Sequence, residues 1–234
     1  MAQQTEQPRF RASGDSGLLV EFGDHIDRAI NQRVWSCQAS LKRERPSWLI
    51  DSTATYCSLF ISYDPCQVGL AEIKKHVLNL ANEMDQQTSV EASVFEIPVC
   101  YGGEMGPDLE FVAQHAGLGV ENVIKFHSQP QYYVYMMGFS PGFPFLGGLP
   151  ERLHTPRLET PRTAVHAGSV GIANGQTGIY PLTSPGGWRI IGRTPFKLFD
   201  PTREEHFLLK DVRALKFVPI SIEEFATMSQ EEAS

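Results

Sequence analysis

Hydrophobic and polar positions change their rhythm once along the chain, near residue 94. Before that point short apolar runs alternate with stretches of helical period. GLLVEF (17–22), introduced by the turn-like SGDS, predicts a strand. Ile26, Ile30, Val34, Cys37 and Leu41 then recur at spacings of four and three, which predicts one face of a helix. WLID (48–51) and CSLFISY (57–63) predict two further strands. In the second, Leu59 and Ile61 share a face while Ser58, Phe60 and Ser62 take the other. Asp64-Pro65 ends it, and Leu70, Ile73, Val77, Leu80 and Met84 mark the stripe of a second helix. The polar run DQQTSVEAS (85–93) reads as a linker, after which VFEIPV opens a new strand. The order β-α-β-β-α-β is that of a ferredoxin-like sandwich.

From Val94 onward the signals are mostly β. A helix is predicted over 108–116, started by Pro107-Asp108 and stopped by Gly117, with a shorter one over 121–127. YYVYMMGF, SVGIA, QTGIYP, WRIIGR, FKLFD and ALKFVPI follow as short strands broken by glycine and proline, the pattern of a barrel or sandwich. The expected fold is therefore α+β. Residues 1–90 form a ferredoxin-like α/β sandwich and residues 91–234 a second, β-rich domain. The tail SQEEAS is expected to fray. One stretch stands apart: GFSPGFPFLGGLPERLHTPRLETPR (138–162). Its density of glycine, proline and phenylalanine suits neither a helix nor an ordinary strand and predicts a shaped loop surface.

Composition narrows the function classes. Hydrophobic residues make up 41% of the chain and charged residues 20%, enough apolar material for a packed core. No apolar run approaches the roughly 20 residues that cross a bilayer, so no membrane span is expected. The start MAQQTEQPRF has no apolar core of a secretory signal. Cys37, Cys57, Cys66 and Cys100 show neither C-x-x-C pairing nor zinc-finger histidines and read as buried or half-buried free thiols. A cytoplasmic location is expected. The net charge of −7 argues against nucleic-acid binding. That charge is uneven. Between Gly138 and Phe199 the acids Glu151 and Glu159 face Arg152, Arg157, Arg162, Arg189, Arg193 and Lys197. Arginines set among glycines predict a site for carboxylate or phosphate.

Several familiar motifs are excluded. No Gly-Lys pair exists for a Walker A loop, and AGSVGIANG lacks the spacing of a dinucleotide fingerprint. Ser169 follows Ala167-Gly168 and opens a strand, so it is no nucleophile elbow, although it can line an oxyanion-binding turn. His127, His154 and His166 lack the i, i+4 spacing of a helical metal site, and no metal is expected. His154, beside Thr155-Pro156-Arg157, is the histidine chosen for any proton exchange with substrate. On a strand, Gln176, Gly178 and Tyr180 share one face, with the Thr177 hydroxyl close by: either a polar wall for a small amide or carboxylate or, equally, a barrel strand whose tyrosine caps the rim. Gly186-Gly187-Trp188-Arg189 is a tight turn presenting an indole and a guanidinium.

GFSPGFPFLGGLP, the Pro156-Arg157 and Pro161-Arg162 steps, AGSVGIANGQTGIYPLTSPGGW and IIGRTPFKLFDP follow in order. Together they closely resemble the allophanate hydrolase subunit 1 family, also called the carboxyltransferase C/D-type domain. GDSGLLVEFG and EIPVCYGGEMGPDLE extend the resemblance over nearly the whole chain. His166 stands where the family usually has proline, and LLKDVRALKFVPI lacks the family's Gly-Asp turn. The resemblance implies a ferredoxin-like first domain and a cyclophilin-like β-barrel second domain. Members include B-type subunits of bacterial 5-oxoprolinases, KipI-type inhibitors of a histidine kinase, and components related to allophanate hydrolase and urea carboxylase.

The enzyme reading implies ATP as co-substrate, a C-type subunit as direct partner and an A-type subunit as a further one. His154, Gln176 and Tyr180 are then the candidate catalytic groups. Gly142, Arg157, Arg162, Gly168, Ser169, Gly171, Thr177 and Arg193 are candidates for holding substrate or anion. The inhibitor reading implies a histidine kinase as partner, docked through an apolar patch with Phe143, Phe145 and Trp188 as candidate contacts. Whether the chain also forms a homo-oligomer is left open.

Overall fold

The computed structural model describes residues 7–84 and 94–232. Contacts divide the chain into two units, Met1–Val90 and Glu91–Ser234. In the first, the elements run β1 (Arg9–Ser13), β2 (Gly17–Glu21), α1 (Arg28–Glu44), β3 (Leu49–Ala54), β4 (Ser58–Tyr63) and α2 (Leu70–Met84). The strands form one antiparallel sheet in the order β1-β2-β4-β3. Alternation decides its faces: Leu18, Val20, Leu59, Ile61 and Tyr63 are buried in one cluster with Val34, Cys37 and Leu41 of α1 and Ile73, Val77 and Leu80 of α2.

The sequence order expected here is corrected at both ends. The strand opened by VFEIPV belongs to the second unit, and Arg9–Ser13 supplies the fourth strand instead. RFRAS has no apolar alternation because it is an edge strand exposed along most of its length. Ile26 does not share the face of α1. The Asp27 carboxylate accepts the Ala29 and Ile30 N–H groups at 2.8 and 3.0 Å, so the helix starts after it and Ile26 is left 56% exposed. The predicted linker 85–93 lies outside the described residues. The cysteines are free thiols, but Cys66, just past Asp64-Pro65, is exposed rather than half-buried.

The second unit contains β5 (Val94–Tyr101), α3 (Leu109–Ala116), α4 (Val120–Ser128), β6 (Tyr132–Met137), β7 (Pro144–Gly147), β8 (Arg162–Val165), β9 (Ser169–Ala173), β10 (Gln176–Ile179), β11 (Ser184–Gly186), β12 (Arg189–Arg193), β13 (Ala214–Pro219) and α5 (Ile222–Glu231). Seven strands close a barrel in the order β10-β7-β6-β13-β5-β12-β9, with β13 parallel to β5. Closure leaves these strands without a free edge. Ile97, Val99, Val134, Leu146, Val170, Ile172, Ile179, Ile191, Leu215 and Phe217 make its core, with Val112 of α3 and Val123 of α4 in the same cluster. β8 and β11 pair as a separate ribbon.

Three expectations change here. The glycine- and proline-rich stretch does contain a strand, β7, which Pro144 can begin because the first residue need not donate. FKLFD is not a strand: one bridge, Phe199 to Phe207, is formed, and the Asp200 carboxylate turns the chain by accepting the Thr202 N–H at 2.9 Å. The tail is helical as far as Glu231, because Ser221 and Glu224 form a reciprocal capping box.

His127 lies inside the barrel, fully buried and stacked on Phe217 at 4.5 Å. Thr177 Oγ1 lies 3.0 Å from the Gly171 carbonyl, which can only accept, so the hydroxyl proton is used there. Thr177 therefore accepts from His127 Nε2–H at 2.9 Å, and His127 Nδ1 accepts from the Tyr101 hydroxyl at 2.8 Å. This relay holds one neutral tautomer, and burial pushes the histidine down to about 3.

Candidate functional site

The period of two along β10 sends Thr177 and Ile179 into the barrel and Gln176, Gly178 and Tyr180 to its outer side. On that side Phe143, Val165, Ala173, Tyr180, Trp188 and Ile190 form a second apolar cluster, with Phe145 packed against it. Three glycines seat its rings. A Cβ on Gly178 would lie 2.9 Å from Phe143 Cζ, one on Gly171 would lie 3.1 Å from Trp188 Cβ, and one on Gly186 would lie 2.8 Å from Tyr180 Cζ. The room over Gly178 is thus filled by Phe143 rather than left for a ligand. Phe143 meets Tyr180 and Trp188 edge to face, with ring centroids 5.3 and 5.5 Å apart.

Beside this cluster opens a cleft of about 290 Å³. Its walls are the rings of Phe139, Phe143, Phe145, Tyr180 and Trp188, with Pro161, Pro185, Gly186 and Gly187 from the β8–β11 region. Arg157 is its one charged lining residue. The Arg157 guanidinium lies 6.0 Å from the Trp188 ring and has no carboxylate partner among the described residues. Burial pushes the Tyr180 phenol above its ordinary value, against the opposing influence of the Trp188 backbone N–H and the charges of Arg157 and Arg162. It therefore stays a phenol with a proton to donate. A larger hollow of about 460 Å³ lies along α5, but its charges answer one another: Arg203 bonds Glu232 at 2.6 Å and Lys197 lies 3.8 Å from Asp200.

The cleft gathers Phe143, Phe145, Arg157, Tyr180 and Trp188 from the residues singled out in the sequence. The other candidates lie elsewhere. Arg162 donates to Asp108 Oδ1 at 2.9 Å, an ion pair within the fold rather than a free cation. Arg193 donates Nε–H to the Ala167 carbonyl at 2.8 Å. Thr177 is committed to the relay inside the barrel. The Gly168 N–H donates to the Tyr180 carbonyl at 2.7 Å and the Ser169 N–H to the His166 carbonyl at 3.2 Å, so neither is available to an anion. Gly171 sits under Trp188, and Gly142, at φ 84°, packs on Phe199 and Phe207. His154 Nε2 is 3.3 Å from the Leu149 carbonyl, and neither His154 nor Gln176 lines the cleft. Among the described residues no cluster of three or more His, Cys, Asp or Glu side chains is placed to hold a metal.

Sequence reasoning misses Asp108 and Phe139. Asp108 reads as a helix start. Its side chain makes no cap bond, and Oδ2 instead accepts the Ile190 N–H at 2.7 Å, across 82 residues of sequence. No local pattern signals such a bond. Phe139 is 70% exposed with φ 64°, and its place in GFSPGF is the available clue.

The sequence profile of the carboxyltransferase domain, subdomain C and D, matches residues 8–209. The chain belongs to this family. Among carboxyltransferase C/D relatives, a B-type 5-oxoprolinase subunit from Bacillus subtilis is 40% identical over 228 residues, 93% of this chain and 95% of that one. Its counterpart from Escherichia coli O157:H7 is 41% identical over 88% and 93% of the two chains. The crystal structure of TTHA0988 superposes with a TM-score of 0.78 at 36% identity, matching 88% of this chain and 40% of that longer one. A Kluyveromyces lactis urea amidolyase, 19% identical with a TM-score of 0.76, shares the fold.

Proposed function

We propose that the chain acts as the B-type subunit of an ATP-dependent 5-oxoprolinase, joining A- and C-type subunits to open 5-oxo-L-proline to L-glutamate. The observation that carries this is the end-to-end similarity to the B-type 5-oxoprolinase subunits of two bacteria, at 40% and 41% identity. The cleft supports a non-autonomous role. Its lining offers one guanidinium and one phenol but no carboxylate, histidine, cysteine or serine. It can bind and orient; the nucleophile and base come from elsewhere. An unstrained lactam is a poor electrophile, so phosphorylation of its oxygen by ATP is a reasonable route. This chain has no Walker A sequence, so ATP is held either by a site of another kind or chiefly by a partner.

The same reading takes the first unit as a ferredoxin-like sandwich with its last strand moved to the front, since β1-β2-β4-β3 is the order that this rearrangement gives. The seven-stranded barrel is read as cyclophilin-like, and the protein as cytoplasmic. A second reading, a KipI-like kinase inhibitor, draws on the exposed Phe139 beside the cleft; it requires an apolar contact and no chemistry.

The first test is assembly. Purified alone, the chain should release no glutamate from 5-oxoproline and ATP. Co-expressed with a C-type subunit, it should co-elute with it on size exclusion. Turnover by the isolated chain, or separate elution, would count against the proposal.

A further inference from the structure

We propose that the aromatic cleft binds a small lactam carboxylic acid directly, with the ring between Phe145 and Trp188, the carboxylate on Arg157 and the lactam carbonyl on the Tyr180 hydroxyl. The inference rests on the oxoprolinase reading and assigns the substrate to this chain rather than to a partner subunit.

Three observations lead there. The volume, about 290 Å³, lies at the lower end of small-molecule sites, which run from roughly 300 to 1,000 Å³. The walls are aromatic rings and prolines, surfaces that favour an apolar ring. The polar side chains of the lining are one guanidinium and one phenol. A guanidinium only donates, and the phenol, whose proton burial holds in place, has a proton to donate as well. The cleft thus selects an apolar ring carrying acceptors, one of them anionic. Arg157, exposed at the cleft and without a carboxylate partner among the described residues, supplies a charge-assisted bond to that anion.

The same logic specifies what is refused. L-Proline has the ring and carboxylate but carries an ammonium in place of the lactam, so it brings a cation and no carbonyl acceptor. Pyrrolidinone has the lactam without the anion, and cyclopentanecarboxylate has the anion without the lactam. Each should bind at least tenfold more weakly than 5-oxo-L-proline.

The experiment uses the full chain labelled with 5-fluorotryptophan. Its three indoles, Trp35, Trp48 and Trp188, give separate fluorine signals, and Trp188 is assigned through Trp188→Phe. Titration with 5-oxo-L-proline should move the Trp188 signal saturably and leave the other two in place. Arg157→Met, an exposed position, should weaken binding at least tenfold. Tyr180→Phe keeps the ring and should erase the preference for the lactam over cyclopentanecarboxylate. A stationary Trp188 signal, or equal binding of all four compounds, overturns the proposal. So does a Trp188 signal that answers only to the C-type subunit, which would make the cleft a protein contact. Turnover in the assembled complex is scored separately. An active complex whose B-type chain binds no lactam would retain the enzyme reading and remove this one, and binding without turnover would do the reverse.

Discussion

Asp108→Ala should destabilise the second unit by about 3 kcal/mol, the largest loss expected from a single side chain outside the apolar core. The carboxylate is 9% exposed and does two jobs. It accepts the Ile190 N–H at 2.7 Å and pairs with Arg162 at 2.9 Å, while the Asp108 N–H donates to the Ile190 carbonyl at 2.8 Å. The start of α3 is thereby tied to β12 and to the first residue of β8. Truncation leaves a buried N–H without an acceptor, at roughly 1–3 kcal/mol, and strands a partly buried guanidinium. Breaking a fully buried pair costs about 3–5 kcal/mol, but Arg162 is 31% exposed and recovers some hydration, which sets the total near the lower bound. Asp108→Asn keeps an acceptor for Ile190 and should lose about half as much. Urea unfolding followed at Trp188 is the measurement. An alanine variant as stable as the parent would show that the clamp is not part of what holds the ribbon beside the cleft.

The second large effect is a pH dependence centred on His127. Its folded value, about 3, lies below the ordinary value of 6.5 because the ring is buried without a counter-charge. Between those values the unfolded chain binds a proton that the folded chain refuses, so stability rises with pH through that window and is lost as pH falls. The loss approaches about 1.4 kcal/mol per pH unit, or about 2–3 kcal/mol between neutrality and about pH 4.5. His127→Gln should be less stable at neutrality, since glutamine does not reproduce both relay bonds, but should show a shallower acid slope. Comparing the two proteins removes the shared contribution of surface carboxylates. Equal slopes from about pH 6 to about pH 4.5 would mean that the ring is protonated in the folded state.

How much of this was legible follows from how local each signal is. The stripes Val34-Cys37-Leu41 and Ile73-Val77-Leu80 are local and fall on helices. The β-rich second half was equally plain, since short apolar runs between glycines admit little else. The strand Arg9–Ser13 was invisible because an exposed edge strand carries no apolar rhythm. The glycine-rich stretch was legible in kind but not in detail. Its phenylalanines do line a surface, yet the glycines of the later strands seat aromatic rings instead of offering N–H groups to an anion. Of the three arginines expected to meet an anion, Arg157 alone faces the cleft. Arg162 was indistinguishable from it in sequence, because its partner Asp108 lies 54 residues away. The inward turn of Thr177 follows from strand period once Tyr180 is known to face outward.

The measurement that bears most directly on the whole account is turnover in a reconstituted three-subunit 5-oxoprolinase in which this chain is the only B-type subunit. With all three present, 5-oxo-L-proline and ATP should yield glutamate and ADP, and omitting this chain should abolish glutamate formation. Glutamate formation at the same rate without it, or no glutamate from a complex shown to be fully assembled, would contradict the account.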